Sequence, residues 1–74
     1  KGAGASKNFK IVSDNVVKVL EAIQAKTYPE LQSQITDLKQ VAAKIDGSIS
    51  MDKQQAHMHS FFRKSSDVLK AMNN

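Results

Sequence analysis

The stretch QQAHMHSFFRK, from Gln54 to Lys64, sets two histidines around a methionine and follows them with two phenylalanines and two basic residues. Two imidazoles hold one metal ion on a helix only when they are three or four residues apart. His57 and His59 are two apart, which puts them about 160° from each other around a helix axis. The apolar period around them is helical, so both are expected to flank a core stripe carrying Met58, Phe61 and Phe62. No metal site is assigned. His57 shares a stripe with Phe61 and Lys64, at the border between apolar face and solvent, where a histidine can report pH or meet a partner. His59, four residues before Arg63, falls on the polar side.

Other motifs fail on spacing or context. SMDK, from Ser50 to Lys53, has the spacing of a serine–lysine nucleophile, and SDN at Ser13–Asn15 matches a second motif of penicillin-recognising enzymes. No third motif follows, and 74 residues are far too few for that fold. DGSISMDKQQAH, starting at Asp46, has its glycine second instead of sixth and His57 where a calcium loop needs glutamate. GAGAS has neither the preceding strand nor the lysine of a phosphate cradle. The chain is expected to be a non-enzyme, with no catalytic residue, metal or other cofactor.

A chain of this length is one small domain near the lower limit of unaided folding, and so small a core gains from self-association or a bound partner. There is no cysteine, which excludes a disulfide framework and a thiolate zinc site. No apolar run approaches the ~20 residues that cross a bilayer. The chain opens on Lys1 rather than methionine, as expected of a processed or excised product, and KGAGAS has no signal-peptide core. Net charge is +4. Residues 1–27 hold five lysines against Asp14 and Glu21, whereas the middle of the chain is slightly acidic. No segment is dense enough to act as a basic tail.

Helical periodicity covers almost everything else. Phe9, Val12, Val16, Val19, Leu20 and Ile23 share one face of a first helix, which Ser6 or Asn8 would cap. Thr27 and Glu30 have capping-box spacing, with Pro29 in the first turn of a second helix. That helix carries Leu31, Ile35, Leu38, Ala42 and Ile45 as a heptad-like seam. Gly47 is placed to end it in the left-handed conformation. Ser48 or Ser50 would cap a third helix, whose seam runs through Met51, Gln55, Met58, Phe62, Ser65, Leu69 and Met72, widened by Phe61 and Val68.

The pattern predicts an all-α fold, a small antiparallel three-helix bundle over residues 6–74 behind a flexible lead-in at 1–5. Its helices are expected at about 8–26, 28–46 and 50–72. Ile11 and Val17 fall about 130° and 110° off the first helix's apolar face, which leaves both available to another molecule. The expected function is a protein-interaction module that binds a partner protein or itself through helix faces, with Ile11, Val17, Lys18, His57 and Lys64 as contact residues. The alternative is an anionic-surface binder that uses the first helix's lysines, Lys7, Lys10 and Lys18, on lipid headgroups or nucleic acid.

Overall fold

Leu31, Ile35, Leu38, Ala42 and Ile45 recur at spacings of four, three, four and three, and this stripe becomes the middle of the molecule. In a computed structural model, which describes residues 2–73, all five are buried, together with Val41. Three helices form: α1 (Gly2–Thr27), α2 (Gln32–Lys44) and α3 (Gln55–Asn73). Single 3₁₀ turns at Pro29–Leu31 and Met51–Gln54 lead into α2 and α3. Among the described residues there is no strand. The protein is an all-α three-helix bundle.

Chain direction follows from the contacts. The Lys10 ammonium donates to the Ala42 carbonyl, joining the start of α1 to the end of α2. Phe9 stacks edge-on against Phe61 and Phe62, and the Tyr28 hydroxyl donates to the Met72 carbonyl. So α1 and α3 run side by side in one direction and α2 runs the other way. The molecule is 39 Å long, the length of the 26-residue α1 at about 1.5 Å per residue. α1 and α3 each pack along α2 and only lightly on one another.

Several local expectations are replaced. α1 begins at Gly2 rather than near residue 8, so the segment 2–5 is helical and neither Ser6 nor Asn8 is a cap. Lys1 and Asn74 lie outside the described residues. Ser6 is instead buried, its hydroxyl accepting from the Gln54 amide. The Thr27–Glu30 capping box does not form: Thr27 completes α1, and Tyr28 precedes the turn without a side-chain cap. Pro29 does occupy the first turn, as its missing N–H allows. Ser50 precedes the second 3₁₀ turn, also without a side-chain cap.

Gly47 is not left-handed, and among the described residues no positive φ occurs. α2 ends because Ile45 turns extended, with φ −78° and ψ 124°. Glycine suits position 47 for another reason. A Cβ there would stand 3.2 Å from Lys7 Cα, so the loop after α2 lies directly on the backbone of α1.

Polar side chains fix both connections. Gln54, buried at the foot of α3, donates to the carbonyls of Asp46 and Ile49 at 2.8 and 3.0 Å and accepts from the Asp46 N–H at 2.9 Å. Gln24, buried near the end of α1, donates to the carbonyls of Tyr28 and Pro29 at 3.1 and 3.4 Å. Among the described residues no buried side-chain nitrogen or oxygen lacks a partner. Ser48 closes the second connection by donating its hydroxyl and N–H to Asp46 Oδ1, at 2.6 and 2.8 Å. The hydroxyl bond and then the N–H bond hold the Asp46 carboxyl below its ordinary value against an opposing effect of desolvation, with the charge of Lys10 the smallest contribution.

Two outcomes are expected. Gln54→Ala leaves the Asp46 N–H and the Ile49 carbonyl without that partner and should cost about 2–3 kcal/mol, read as a lower urea midpoint at unchanged slope. A depressed carboxyl stabilises the fold above its unfolded-state pKa, and that contribution fades as pH falls through the folded-state value. Ser48→Ala should therefore raise the Asp46 pKa in an NMR titration. Its stability deficit should be full near neutrality and vanish in acid. A deficit independent of pH would show that the hydroxyl bond acts without the carboxylate charge.

Candidate docking groove between the first and third helices

The face that α1 turns inward is not the one its apolar residues mark. Ser6, Ser13, Val17, Leu20 and Gln24 are buried, whereas Val12, Val19 and Ile23 are 56%, 59% and 41% exposed. The buried stripe is centred about 100° around the helix from the stripe of Val12, Val16, Val19 and Ile23. Leu20 joins the two, and Phe9 and Val16 are half-buried against the edge of the core.

The cause lies in the polar contacts already described. Gln24 ties the last turns of α1 to the first connection. Ser6, Lys7 and Lys10 meet Gln54, Gly47 and Ala42 at the second connection. Ser13, fully buried, returns its hydroxyl to the Lys10 carbonyl at 3.0 Å and is small enough to let α1 approach α2 closely. Together these contacts set the rotation of α1 about its axis.

α3 is also turned from expectation, in the opposite sense to α1. Phe61, Ser65 and Val68 are buried, and Met58 and Met72 are partly so. Phe62 and Leu69, expected on the seam, are 55% and 54% exposed. They stand about 80–90° around α3 from its buried stripe, on the side facing α1.

The two outlying stripes face a common groove. Its middle is a cavity of about 360 Å³ lined by Val12, Asn15, Val16, Val19, Leu20 and Leu69. A neighbouring hollow continues it past Ile23, Tyr28, Leu69, Lys70 and Met72. Phe9, Phe61 and Phe62 close one end, with ring centroids 5.5–6.1 Å apart. The bond from Tyr28 to the Met72 carbonyl closes the other. A contiguous apolar surface of this kind, bordered by polar groups, is the usual mark of an interaction site.

The contact residues expected from sequence are spread over other surfaces. Ile11 and Lys18 lie exposed on the outward side of α1, away from both α2 and the groove. Val17 is in the core at 7% exposure, because α1 is rotated about 80° from the expected setting. That position withdraws Val17 from any partner. His57 and Lys64 are half-buried on the α2 side of α3, where Lys64 lines a cleft with Gln34, Asp37 and Asp67. They flank the opposite edge of the buried stripe from Phe62 and Leu69. The fold thus pairs Ile11 with Lys18, and His57 with Lys64, and does not bring the pairs together. Of the first helix's lysines, Lys10 is engaged by the Ala42 carbonyl at 2.6 Å and by Asp14 at 3.1 Å, leaving Lys7 and Lys18 exposed.

Sequence reasoning missed Val12, Val19, Ile23, Phe62 and Leu69 as surface residues because it assigned all five to the core. One signal was present: an apolar arc on α1 too wide for a single neighbour. Among the described residues no group of three or more histidine or carboxylate side chains is placed to hold a metal ion. No described helix is long and apolar enough to cross a membrane. No family model, curated protein or solved structure matches the chain.

The altered rotation of α1 sets a clear contrast between Ile11 and Val17. Val17→Ser should destabilise the bundle by about 2 kcal/mol, through lost burial and a hydroxyl placed in the core. Ile11→Ser, on the exposed side, should stay within about 0.5 kcal/mol of the parent. Urea unfolding followed by circular dichroism measures both. Equal losses would mean that α1 sits in some other rotation.

Proposed function

We propose that this chain is a non-enzymatic protein-interaction module that binds through helix faces, and that the groove between α1 and α3 is its docking surface. One observation carries the reading: Ser6, Ser13 and Gln24 share the inner face of α1 with Val17 and Leu20 while Val12, Val19 and Ile23 stand outside. A fold that buries Ser6, Ser13, Gln24, Gln54 and Ser65 has used its interior for positioning. It leaves large apolar side chains in water, each forgoing on the order of 1 kcal/mol of burial that a partner would recover. Helix-face recognition uses anchors at spacings of three, four and seven, and Val12, Val16, Val19 and Ile23 supply them on one wall.

The reading as a non-enzyme rests on the chemistry of the sequence, in which no nucleophile and base are spaced to act together. Attachment to anionic lipid headgroups or nucleic acid through the first helix's lysines is the rival reading. Lys7 and Lys18 support it, and Lys10 is withdrawn from it by its bonds to Ala42 and Asp14.

A photo-reactive phenylalanine analogue at position 19, in the groove, can be compared with one at Gln40, on the outer face of α2. Position 19 should give a discrete protein adduct that Leu69→Ser abolishes, and position 40 should not. Adducts from both positions alike, or none, would remove the groove as a docking surface. Attachment to phosphatidylserine vesicles that collapses between low and moderate salt, and that Leu69→Ser leaves intact, would install the rival reading instead.

A further inference from the structure

We infer that the groove takes one amphipathic helix of another protein, with carboxylates beside its apolar seam, seated as the fourth rod of a four-helix bundle. This rests on the docking reading above and names its occupant.

The first argument is geometric. In a closed three-helix bundle each helix meets its two neighbours at about 60°, and the two contacts merge into one apolar face; in a square of four rods they are set about 90° apart. On α1 the buried stripe and the Val12–Ile23 stripe are separated by about 100°, and on α3 the buried stripe and the Phe62–Leu69 edge by about 80–90°. α2 fills one corner between α1 and α3, which pack only lightly on each other. The opposite corner is the groove. From Phe9 to Ile23 it extends about 21 Å, the length of some fourteen helical residues. Its apolar side chains form two walls with a hollow between them, a shape that suits a rod better than the flat surface of a bilayer.

The second argument is charge. All three carboxylates of α1 and α3 lie on sides away from the groove. Asp14 pairs with Lys10 at 3.1 Å, Glu21 pairs with Lys39 of α2 at 2.9 Å, and Asp67 lines the α2–α3 cleft beside Asp37. Among the described residues no carboxylate lines either hollow of the groove. Lys70 lines the hollow beside Ile23 and Leu69, and Lys26 lies one turn beyond Ile23, both exposed. An occupant with glutamates beside its seam meets these cations. A second copy of this chain, placed groove to groove, would set the same cations against one another.

The test uses fluorescein-labelled synthetic helices of eighteen residues with one leucine seam, flanked by glutamates in one peptide and by lysines in another, and a scrambled form of the first. Anisotropy is read against the full chain at 0.15 M salt. The glutamate peptide should bind roughly tenfold more tightly than the lysine peptide, as two rim pairs, attractive in one peptide and repulsive in the other, allow, and the scrambled peptide should not bind. Leu69→Asp should lose at least about tenfold, while Gln40→Asp on the outer face should change nothing. Circular dichroism confirms that each variant is folded.

Equal binding of the two seam peptides overturns the acidic helix and leaves the groove standing. Glutamate-peptide binding that Leu69→Asp leaves unchanged removes the groove as well. A dimer in sedimentation that Leu69→Asp dissolves, or attachment to phosphatidylserine vesicles lost in the same variant, names a different occupant and overturns the inference.

Discussion

The rotation of α1 about its own axis is the constraint on which the rest of the structure depends. A helix with a broad apolar arc has a choice of which part to bury, and here polar contacts make that choice. Turning α1 so that Val12 and Val19 faced α2 would bring Gln24 and Ser6 out of register with the connections they contact. A buried amide or carbonyl left without its partner costs about 1–3 kcal/mol. Half-exposing a valine forgoes on the order of 1 kcal/mol. With Gln24 at one end, and Gln54, Gly47 and Lys10 at the other, the polar terms outweigh the valines.

This competition explains how far the fold could be read from the chain. The buried stripe of α2, from Leu31 to Ile45, was legible except for Val41, because α2 is hemmed in on both sides and its stripe faces both neighbours. The number of helices and their short connections followed from Pro29 and from the break around Gly47. The rotation of α1 and α3 did not follow. Two apolar stripes about 90° apart merge into one broad arc when projected from sequence, and the centre of that arc is not the buried line. The line that is buried on α1 is marked by serine and glutamine, which carry no hydrophobic signal. Their roles depend on Asp46, Ile49 and Tyr28, groups brought close only by the fold.

The same blindness displaced the contact residues. Val17 looked marginal only because the face was centred on the valines; with α1 rotated, it is core. On α3 the broad face had two edges, and His57 with Lys64 drew attention to the charged one. The apolar edge, Phe62 and Leu69, was absorbed into an expected seam. Gly47 shows a similar substitution of cause. Its position after α2 suggested left-handed backbone, whereas in the structure its value is the close approach to α1, where a Cβ would stand 3.2 Å from Lys7 Cα.

The composition of the groove's α1 wall bears on how a docking surface of this kind would work. Val12, Val16, Val19 and Ile23 are all β-branched, and on a helix such side chains are held close to one rotamer by the preceding turn. Little side-chain freedom is then left to lose on contact, whereas each immobilised flexible side chain would cost about 0.5–1.5 kcal/mol. The backbone beneath them is fixed by the same Gln24 and Gln54 bonds that turned the valines outward. A wall whose helix is clamped at both ends and whose side chains are stiff has met most of its ordering cost during folding. The polar interior of α1 and the stiff exterior are therefore two results of one arrangement: the contacts that keep the valines in water also hold them in the geometry a partner would meet.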